Sequence, residues 1–316
     1  MANQFMTLAD QAKTTDPSGK ALTIVEYITS ANELEDIPSI PSNSDTEMIG
    51  TRRIGLPAVS RREINEGVPF TKSKTEQFKE RIVLYEAQGA IDSDLIDLAA
   101  DKAAARLSEN SGHMQALGKA FAEDVMYGTA AKKTFTGFCE YYNSKKNSQV
   151  IDAGGTTNLR SIVIVGWSPD TITSFFPKNS KAGIDHIPFD KDFVPSPDGN
   201  GQMVAYADVF KWKVGLSIKN PKFASRIANI DIKNISRAEI FPLLIKGKNQ
   251  IESLKIVKPR IYCCNEIFTL LEIAAFEKAN VALTYREVPN STPILSFGGV
   301  ELRRMDVMNI DENKVA

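Results

Sequence analysis

The segment TRRIGLPAVSRREINEGVPFTKSKTEQ, residues 51–77, is basic, but its prolines and glycines prevent a helix that would gather the charges on one face. It is predicted to form two extended strands, at 54–60 and 67–78, in a long hairpin with a turn near 65–67. A two-stranded hairpin has no core of its own, so this one needs another surface to contact. The cationic side chains along it are Arg52, Arg53, Arg61, Arg62, Lys72 and Lys74.

The charge of the chain changes sign where this segment begins. Residues 21–50 contain six acidic residues and no basic one, whereas residues 51–81 contain eight basic and four acidic residues, a balance of +4. Over the whole chain, 38 lysines and arginines face 39 acidic residues, which gives a formal net charge of -1. A generic binder of polyanions is therefore excluded, and the basic segment needs a local explanation.

Length and composition indicate a globular protein with a large core. The chain has 316 residues, 42% of them hydrophobic, which allows about two domains. Its three cysteines, Cys139, Cys263 and Cys264, include an adjacent pair that is unsuited to bridging, and this favours a reducing compartment. No apolar run approaches the ~18 residues of a membrane span, and the first residues lack the apolar core of a signal peptide. We expect a soluble protein of the cytoplasm with no membrane partner.

Two helices are predicted in the first half of the chain. Asp16-Pro17 is an N-cap with proline at the first helical position, and the helix continues through ALTIVEYITSANEL. A longer helix begins at Asp92 or Ser93 and runs to Gly128. The sequence leaves open whether residues 108–112 divide it, although its alanine-rich centre favours one helix packed on a sheet.

The second half of the chain is predicted to be mainly strands. Residues 162–165 form an apolar run typical of a strand buried on both faces, and FKWKVGLSIK, residues 210–219, alternates apolar and polar side chains. The alternation predicts one core face, with Trp212, and one wet face. Further elements complete an α+β layout: helices at 236–249 and 266–279, the second capped by Asn265, and strands at 260–264, 281–287 and 298–308.

No residues form a constellation with catalytic or ligand-binding spacing. His113 and His186 have no metal-ligating neighbours at the required spacing, and the run from Asp152 to Gly155 lacks a phosphate-binding motif and is predicted to be a hairpin turn. Cys263 and Cys264 end an apolar strand, where cysteine behaves as a small hydrophobe. We therefore predict no catalytic residue, no cofactor and no metal site.

Two charged groups are predicted to be structural. Asp92, Asp94, Asp97 and Asp101 lie at a helix start, where the helix dipole favours negative charge. The second group, on the wet face of a strand, serves solvation or edge protection and consists of Lys211, Lys213 and Lys219.

The basic hairpin is better explained by contact with another copy of the chain than by nucleic acid. A nucleic-acid site needs base-reading or stacking side chains near its arginines, and the neighbouring side chains here, including Ile54, Leu56 and Val59, are aliphatic. Arginine suits a protein interface because its planar fork pairs bidentately with carboxylates. The predicted subunit-interface residues are Arg52, Arg53, Arg61, Arg62, Lys72 and Lys74.

A series of motifs follows in a fixed order along nearly the whole chain. The first third contains TLADQAK, TDPSGKALTIVE, TRRIGLPAVSRREINEGV and IDSDLIDL. The rest contains RLSENSGHMQAL, FTGF, VIDAGGTTN, IVIVGWSPDTI and FKWKVGLSIKNPKFASRIANID. In this order the motifs resemble the major capsid proteins of a group of short-tailed bacteriophages, which look like a branch of the Hong Kong 97 type capsid fold. Each motif alone is structural and modest in specificity.

The resemblance implies a division of the chain into four regions. The long helix would be the spine of the peripheral domain, and the extended loop would lie over a neighbouring subunit. The implied regions are an N-terminal arm (1–47), an extended loop hairpin (48–80), a peripheral domain (81–136 and 201–235) and an axial domain (137–200 and 236–316).

The resemblance also implies a structural function and its partners. The protein would self-assemble as pentamers and hexamers into an icosahedral shell that encloses phage double-stranded DNA, without sequence-specific contacts to it. A separate scaffolding protein and a portal would be further partners, and the virion capsid would be assembled in the bacterial host cytoplasm. The alternatives are a nucleic-acid-binding protein that uses residues 51–81 and a host encapsulating nanocompartment of the same fold, with an enzyme as a distant third.

Overall fold

The computed structural model describes residues 34, 37–99, 101–196, 200–275, 283–286 and 294–316, without the side chains of 237, 238 and 286. The predicted helix after Asp16-Pro17 and most of the N-terminal arm lie outside these residues. The helices are α1 (Ser93–Leu98), α2 (Lys102–Tyr127), α3 (Phe138–Tyr141), α4 (Arg237–Gln250) and α5 (Asn265–Ala275). The first seven strands are β1 (Ser39–Pro41), β2 (Glu47–Gly55), β3 (Lys74–Arg81), β4 (Val83–Asp92), β5 (Val150–Asp152), β6 (Leu159–Trp167) and β7 (Ile172–Phe176). The others are β8 (Ile184–Pro195), β9 (Gln202–Ile218), β10 (Ala224–Asp231), β11 (Lys258–Cys263), β12 (Leu283–Arg286), β13 (Ile294–Phe297) and β14 (Val300–Arg304).

The described residues fall into two compact units. The first comprises residues 84–123 and 183–213, and the second comprises 124–182, 214–316 and the described part of 33–83. This division differs from the predicted boundaries near 136, 200 and 235. The reason is strand pairing, since β10 is the antiparallel partner of β6 and residues 224–231 therefore belong with 159–167. The assignment of segments to capsid domains stays a prediction.

The predicted long helix is interrupted near its start. Asp92 caps α1 as predicted, and its carboxylate accepts a hydrogen bond from the Asp94 backbone N–H at 2.9 Å. Ala99 is extended (φ -74°, ψ 139°), and α2 begins three residues later. From there α2 runs unbroken for 26 residues through 108–112, so the alanine-rich centre is one helix, and among the described residues the prediction fails at Ala99 and Asp101.

Aromatic rings pack α2 against the sheet of the first unit. The ring of Trp212 on β9 lies 4.6 Å from the ring of Phe121 on α2 and 6.1 Å from Tyr85 on β4, measured between centroids. Phe121 is 6% exposed. The structure thus confirms that the tryptophan of the alternating strand packs beneath the long helix.

The predicted wet face of β9 is wrong for its second half. Ser217 is fully buried, and a Cβ atom on Gly215 would lie 2.5 Å from the ring of Phe175, a β7 residue. β7 is the neighbouring strand of residues 215–218 in the same sheet, and all four of these residues are buried in the second unit. Alternation in the sequence shows only which side chains are apolar, whereas small residues such as Gly215 and Ser217 can be buried on the opposite face.

The core of the second unit is a seven-stranded sheet in the order β12-β13-β14-β11-β6-β10-β5. Every residue of β6 is buried, which confirms the strand predicted around 162–165. The predicted hairpin turn at Asp152–Gly155 is wrong, because β5 pairs in parallel with β10, and β10 separates it from β6. The Asp152 carboxylate accepts a hydrogen bond from the Gly154 N–H at 2.9 Å, which turns the chain locally without a hairpin.

The helices predicted in the last third are present. Ser236 and Glu239 form a reciprocal capping box at the start of α4, and α5 begins at the predicted Asn265. Strands β12 and β14 lie within the predicted segments, and β11 begins two residues before its predicted segment.

We expect Trp212→Ala to lower the free energy of unfolding by about 3 kcal/mol, because it removes the ring that joins α2 to the sheet. Lys213→Ala is the matched control, since this side chain is the next in the strand, and it should change stability by less than about 0.5 kcal/mol. Urea unfolding followed by circular dichroism measures both. Equal losses in the two variants would show that the aromatic cluster does not hold the first unit.

Candidate subunit interface

The basic hairpin predicted from residues 51–77 exists, but its strands lie further from the turn. The antiparallel pairs run from Glu47 opposite Arg81 to Gly55 opposite Lys74. Residues 56–73, here called the extended loop, form no strand. Asn65 has a left-handed backbone (φ 71°) in the turn, as the prediction near 65–67 requires. The predicted strands at 54–60 and 67–78 were therefore misplaced, because prolines in the loop cannot donate ladder hydrogen bonds.

The extended loop presents large apolar side chains to solvent. Its described hydrogen bonds join loop residues to one another, for example Thr71 Oγ1 to the Ala58 carbonyl at 3.0 Å and Arg62 Nη1 to the Glu66 carbonyl at 3.2 Å. Such a concentration of exposed apolar side chains marks a binding surface. The exposed fractions are 82% for Leu56, 91% for Val59, 90% for Ile64, 47% for Val68 and 107% for Phe70.

Arg52 belongs to the base of the hairpin and differs from the other predicted interface residues. Its Nη2 lies 3.0 Å from Glu76 Oε2, and its Nη1 donates to the Tyr141 hydroxyl at 3.1 Å. Burial lowers the pKa of Arg52, but the bonds to Tyr141 and Glu76 outweigh it and raise the pKa. The remaining five predicted cations are exposed and available to a partner: Arg53, Arg61, Arg62, Lys72 and Lys74.

Glu80 attaches the other strand of the hairpin to the second unit. Its Oε1 accepts a hydrogen bond from the Ile218 backbone N–H at 2.8 Å, and its Oε2 is buried without a hydrogen-bond partner among the described residues. Burial raises the pKa of Glu80, although Ser217, the Ile218 N–H, Arg52 and Lys219 oppose the shift. The sequence analysis missed this residue, since a single glutamate in a polar strand carries no distinguishing signal.

We expect the stability of the hairpin base to depend on pH through Glu80. A raised pKa means that, between the unfolded and folded pKa values, Glu80 keeps its proton in the folded state and loses it in the unfolded state. The contribution of neutral Glu80 to the free energy of unfolding is therefore lost as pH rises from the unfolded pKa through the folded one. Glu80→Gln keeps the acceptor for Ile218 and cannot ionise. We expect the free energy of unfolding of the variant, relative to the parent, to increase as pH rises. Chemical unfolding at a series of pH values measures it, and a pH-independent difference would contradict the assignment.

The two histidines have structural neighbours. The rings of His186 and His113 stack on Phe210 at 4.6 and 6.0 Å, and His186 Nε2 lies 2.6 Å from Asp208 Oδ1. Burial raises the pKa of Asp208, but the hydrogen bonds with Arg106 and His186 lower it by more. The pKa of Asp208 is therefore below its ordinary value. These contacts connect β8, β9 and α2 within the first unit.

The other candidate groups also have structural roles. Cys139, Cys263 and Cys264 are buried free thiols, and burial raises the pKa of Cys139 to about 12, which disfavours the thiolate. Asp97 lies 2.6 Å from Lys102 Nζ, so part of the acidic helix start is paired within the chain. Within the part of the chain that the structure describes, histidine, cysteine and carboxylate side chains form no metal-binding cluster. Nor does any described helix combine the length and apolarity needed to span a bilayer.

Two of the three lysines predicted on the wet face of β9 contact groups of their own unit. Lys211 Nζ lies 3.6 Å from a Glu86 carboxylate oxygen, and Lys219 Nζ donates to the Pro169 carbonyl at 2.7 Å.

Comparison with known proteins identifies the class as a phage head-shell protein with the Hong Kong 97 type α+β capsid fold. The chain matches the family described as Major capsid protein GP7 over residues 16–316, and it belongs to this family. A chain in the structure of bacteriophage Epsilon15 matches at 26% identity with a TM-score of 0.75. The match covers 100% of this chain and 99% of that one. The bacteriophage JBD30 capsid matches at 14% identity, with 97% and 96% of the two chains covered and a TM-score of 0.48. A search of curated protein sequences gives no match.

The family assignment confirms the predicted fold and function. The protein is a major capsid protein, and many copies of it assemble into a phage head shell. This finding decides for the shell protein over the nucleic-acid-binding and nanocompartment alternatives.

Proposed function

We propose that the extended loop joins each copy of the chain to a neighbouring copy in the shell. The observation that carries this proposal is the row of large apolar side chains in residues 56–73, which the loop leaves exposed. An isolated subunit gains nothing from exposing them, whereas an interface between copies would bury them.

Magnitudes indicate that the apolar side chains supply most of the affinity. Full burial of one such side chain is worth about 1.5 to 3 kcal/mol, whereas an exposed ion pair contributes about 0 to 1 kcal/mol. The arginines and lysines then set the register and exclude wrong partners, because complementary charge governs specificity more than affinity. Phe70, at 107% exposure, would contribute the largest apolar area.

The carboxylates that receive these cations lie in the acidic segment 26–47 or at the helix start from Asp92 to Asp101 of the neighbouring copy. The structure favours particular members of the second group for this role. Asp92 caps α1 and Asp97 pairs with Lys102, whereas Asp94 and Asp101 are exposed and outside the described ion pairs. Asp101 also accepts a hydrogen bond from the Ala104 N–H at 3.0 Å, which fixes the direction of its carboxylate.

At the level of the particle, the proposal follows from family membership. The copies would be arranged as pentamers and hexamers, with a scaffolding protein and a portal as further partners, and assembly would take place in the host cytoplasm. Packaged double-stranded DNA would contact the shell without sequence specificity. The net charge of -1 supports this arrangement, because a strongly basic shell would hold its genome through counterion release. The protein would have no catalytic activity.

We expect the triple variant Val59→Ser, Ile64→Ser, Phe70→Ser to keep the circular dichroism spectrum of the parent and to lose shells in sedimentation, because it removes the apolar contact. Ile256→Ser is the matched control, since this isoleucine is 65% exposed outside the loop, and it should assemble normally.

Reversing the exposed charges tests the electrostatic part separately. The variant Arg53→Glu, Arg61→Glu, Arg62→Glu leaves Arg52 and the hairpin base intact, and we expect it to remain folded and to assemble poorly. A variant that forms normal shells but loses salt-dependent DNA binding would show that the loop is a nucleic-acid element instead.

A further inference from the structure

Residues 309–316 lie along the second unit and are attached to it by backbone contacts. The Glu312 N–H donates to the Leu159 carbonyl at 3.1 Å, next to the buried strand β6. The Lys145 N–H donates to the Ala316 carbonyl at 3.0 Å. These contacts come from separate parts of the unit. The segment, here called the strap, therefore has a defined path.

The side chain of Asn229 forms hydrogen bonds with both backbone groups of a strap residue, as the backbone of a neighbouring strand would. Its backbone is left-handed (φ 58°), at the irregularity of β10 where the register shifts between Ile227 and Ile230. Its side-chain Oδ1 accepts from the Val315 N–H at 2.9 Å, and its Nδ2 donates to the Val315 carbonyl at 3.1 Å. Val315 is 2% exposed. A left-handed backbone is costly for a residue other than glycine, and it occurs here at the residue whose side chain binds the strap.

A buried ion pair joins the strap to the centre of the sheet. Arg226 Nη2 lies 2.6 Å from Glu312 Oε2, and the two side chains are 4% and 5% exposed. Arg226 also donates to Ser161 Oγ and to the carbonyls of Cys139 and Tyr142, while the Tyr127 hydroxyl donates to Glu312 Oε1 at 2.7 Å. Among the described residues, Glu312 is the one carboxylate within ion-pair distance of Arg226.

A pocket of about 240 Å³ lies beside the strap, and its lining includes Tyr127, Glu140, Arg226 and the strap residues 310–313. The strap is held by the ion pairs Arg226–Glu312 and Arg160–Asp311 and by side-chain and backbone hydrogen bonds. It forms no strand of its own, so it can detach without unpacking the strands of the sheet.

We propose that the strap is an internal ligand that docks after the seven-stranded sheet has formed, and that Arg226 is the receptor for its carboxylate. The site accepts a peptide that presents a glutamate side chain to the guanidinium and a valine backbone to Asn229. Glu312 follows Arg226 by 86 positions, so synthesis supplies the receptor before the ligand. Until the strap docks, a buried guanidinium lacks its counter-charge and the subunit is not competent for assembly.

Chemical rescue tests the receptor in the full chain. Glu312→Ala should lower the thermal midpoint by on the order of 10 °C, because it leaves Arg226 buried and unpaired. Formate, a small carboxylate, should restore part of this loss, and chloride at the same ionic strength should not. Glu252→Ala is the control, since Glu252 lies 3.6 Å from Lys222 in an exposed pair, and its midpoint should equal that of the parent. An unchanged midpoint in Glu312→Ala, or equal effects of formate and chloride, would overturn the proposal.

Hydrogen exchange tests whether the strap detaches separately, and it serves if Glu312→Ala does not fold. In the parent chain, peptides covering the strap should be protected. In Glu312→Gln they should lose protection at least tenfold while β6 keeps its own, and shells should be lost in sedimentation. Simultaneous loss of protection in the strap and β6, or an unprotected strap in the parent, would refute docking as a separate step. The exchange and rescue readouts use unassembled subunits, so they remain valid if the extended loop does not form the subunit contact.

Discussion

The exposed apolar surface of the extended loop is the constraint that shapes this protein. A chain of this size normally buries such side chains, and no strand or helix of the described residues covers residues 56–73. Prolines in the loop cannot donate ladder hydrogen bonds, so the two strands of the hairpin do not continue into the loop. In the contact that we propose, another copy of the same chain would provide the missing surface, and a shell would repeat that contact at every subunit.

Contacts with the rest of the second unit hold the base of the loop in place. Arg52 connects β2 to Tyr141 on α3, and Glu80 connects β3 to the backbone at the end of β9. The ionisable groups at the base are thus used within the chain, and those on the loop remain for a partner. The strap closes the same unit from another side, where Glu312 balances the charge of Arg226. Both attachments place a charge in a partly desolvated site, where loss of the partner costs more than the pair itself contributes.

Local patterns in the sequence predicted the elements, and tertiary pairing decided what they could not. The apolar run at 162–165 identified β6, and Asp92 identified the start of α1, because burial and capping depend on nearby residues. The hairpin turn after Asp152 was wrong, since the parallel pairing of β5 with β10 depends on a strand more than seventy residues away. Ser217 was assigned to the wet face because it is polar, whereas its burial depends on tertiary packing. For the site, the basic and aliphatic composition of the loop indicated an interface, but the separate role of Arg52 depends on Tyr141, 89 positions later. The domain boundaries and the interface residues remain predictions.

Hydrogen–deuterium exchange of the extended loop, compared between unassembled subunits and shells, tests the central claim most directly. In subunits the amides of residues 56–73 should exchange rapidly, because the loop has few internal hydrogen bonds. In shells the same amides should slow at least tenfold, while β6 should exchange equally slowly in both states. Loop amides that exchange at the same rate in subunits and shells would contradict the assignment of this loop to the subunit contact.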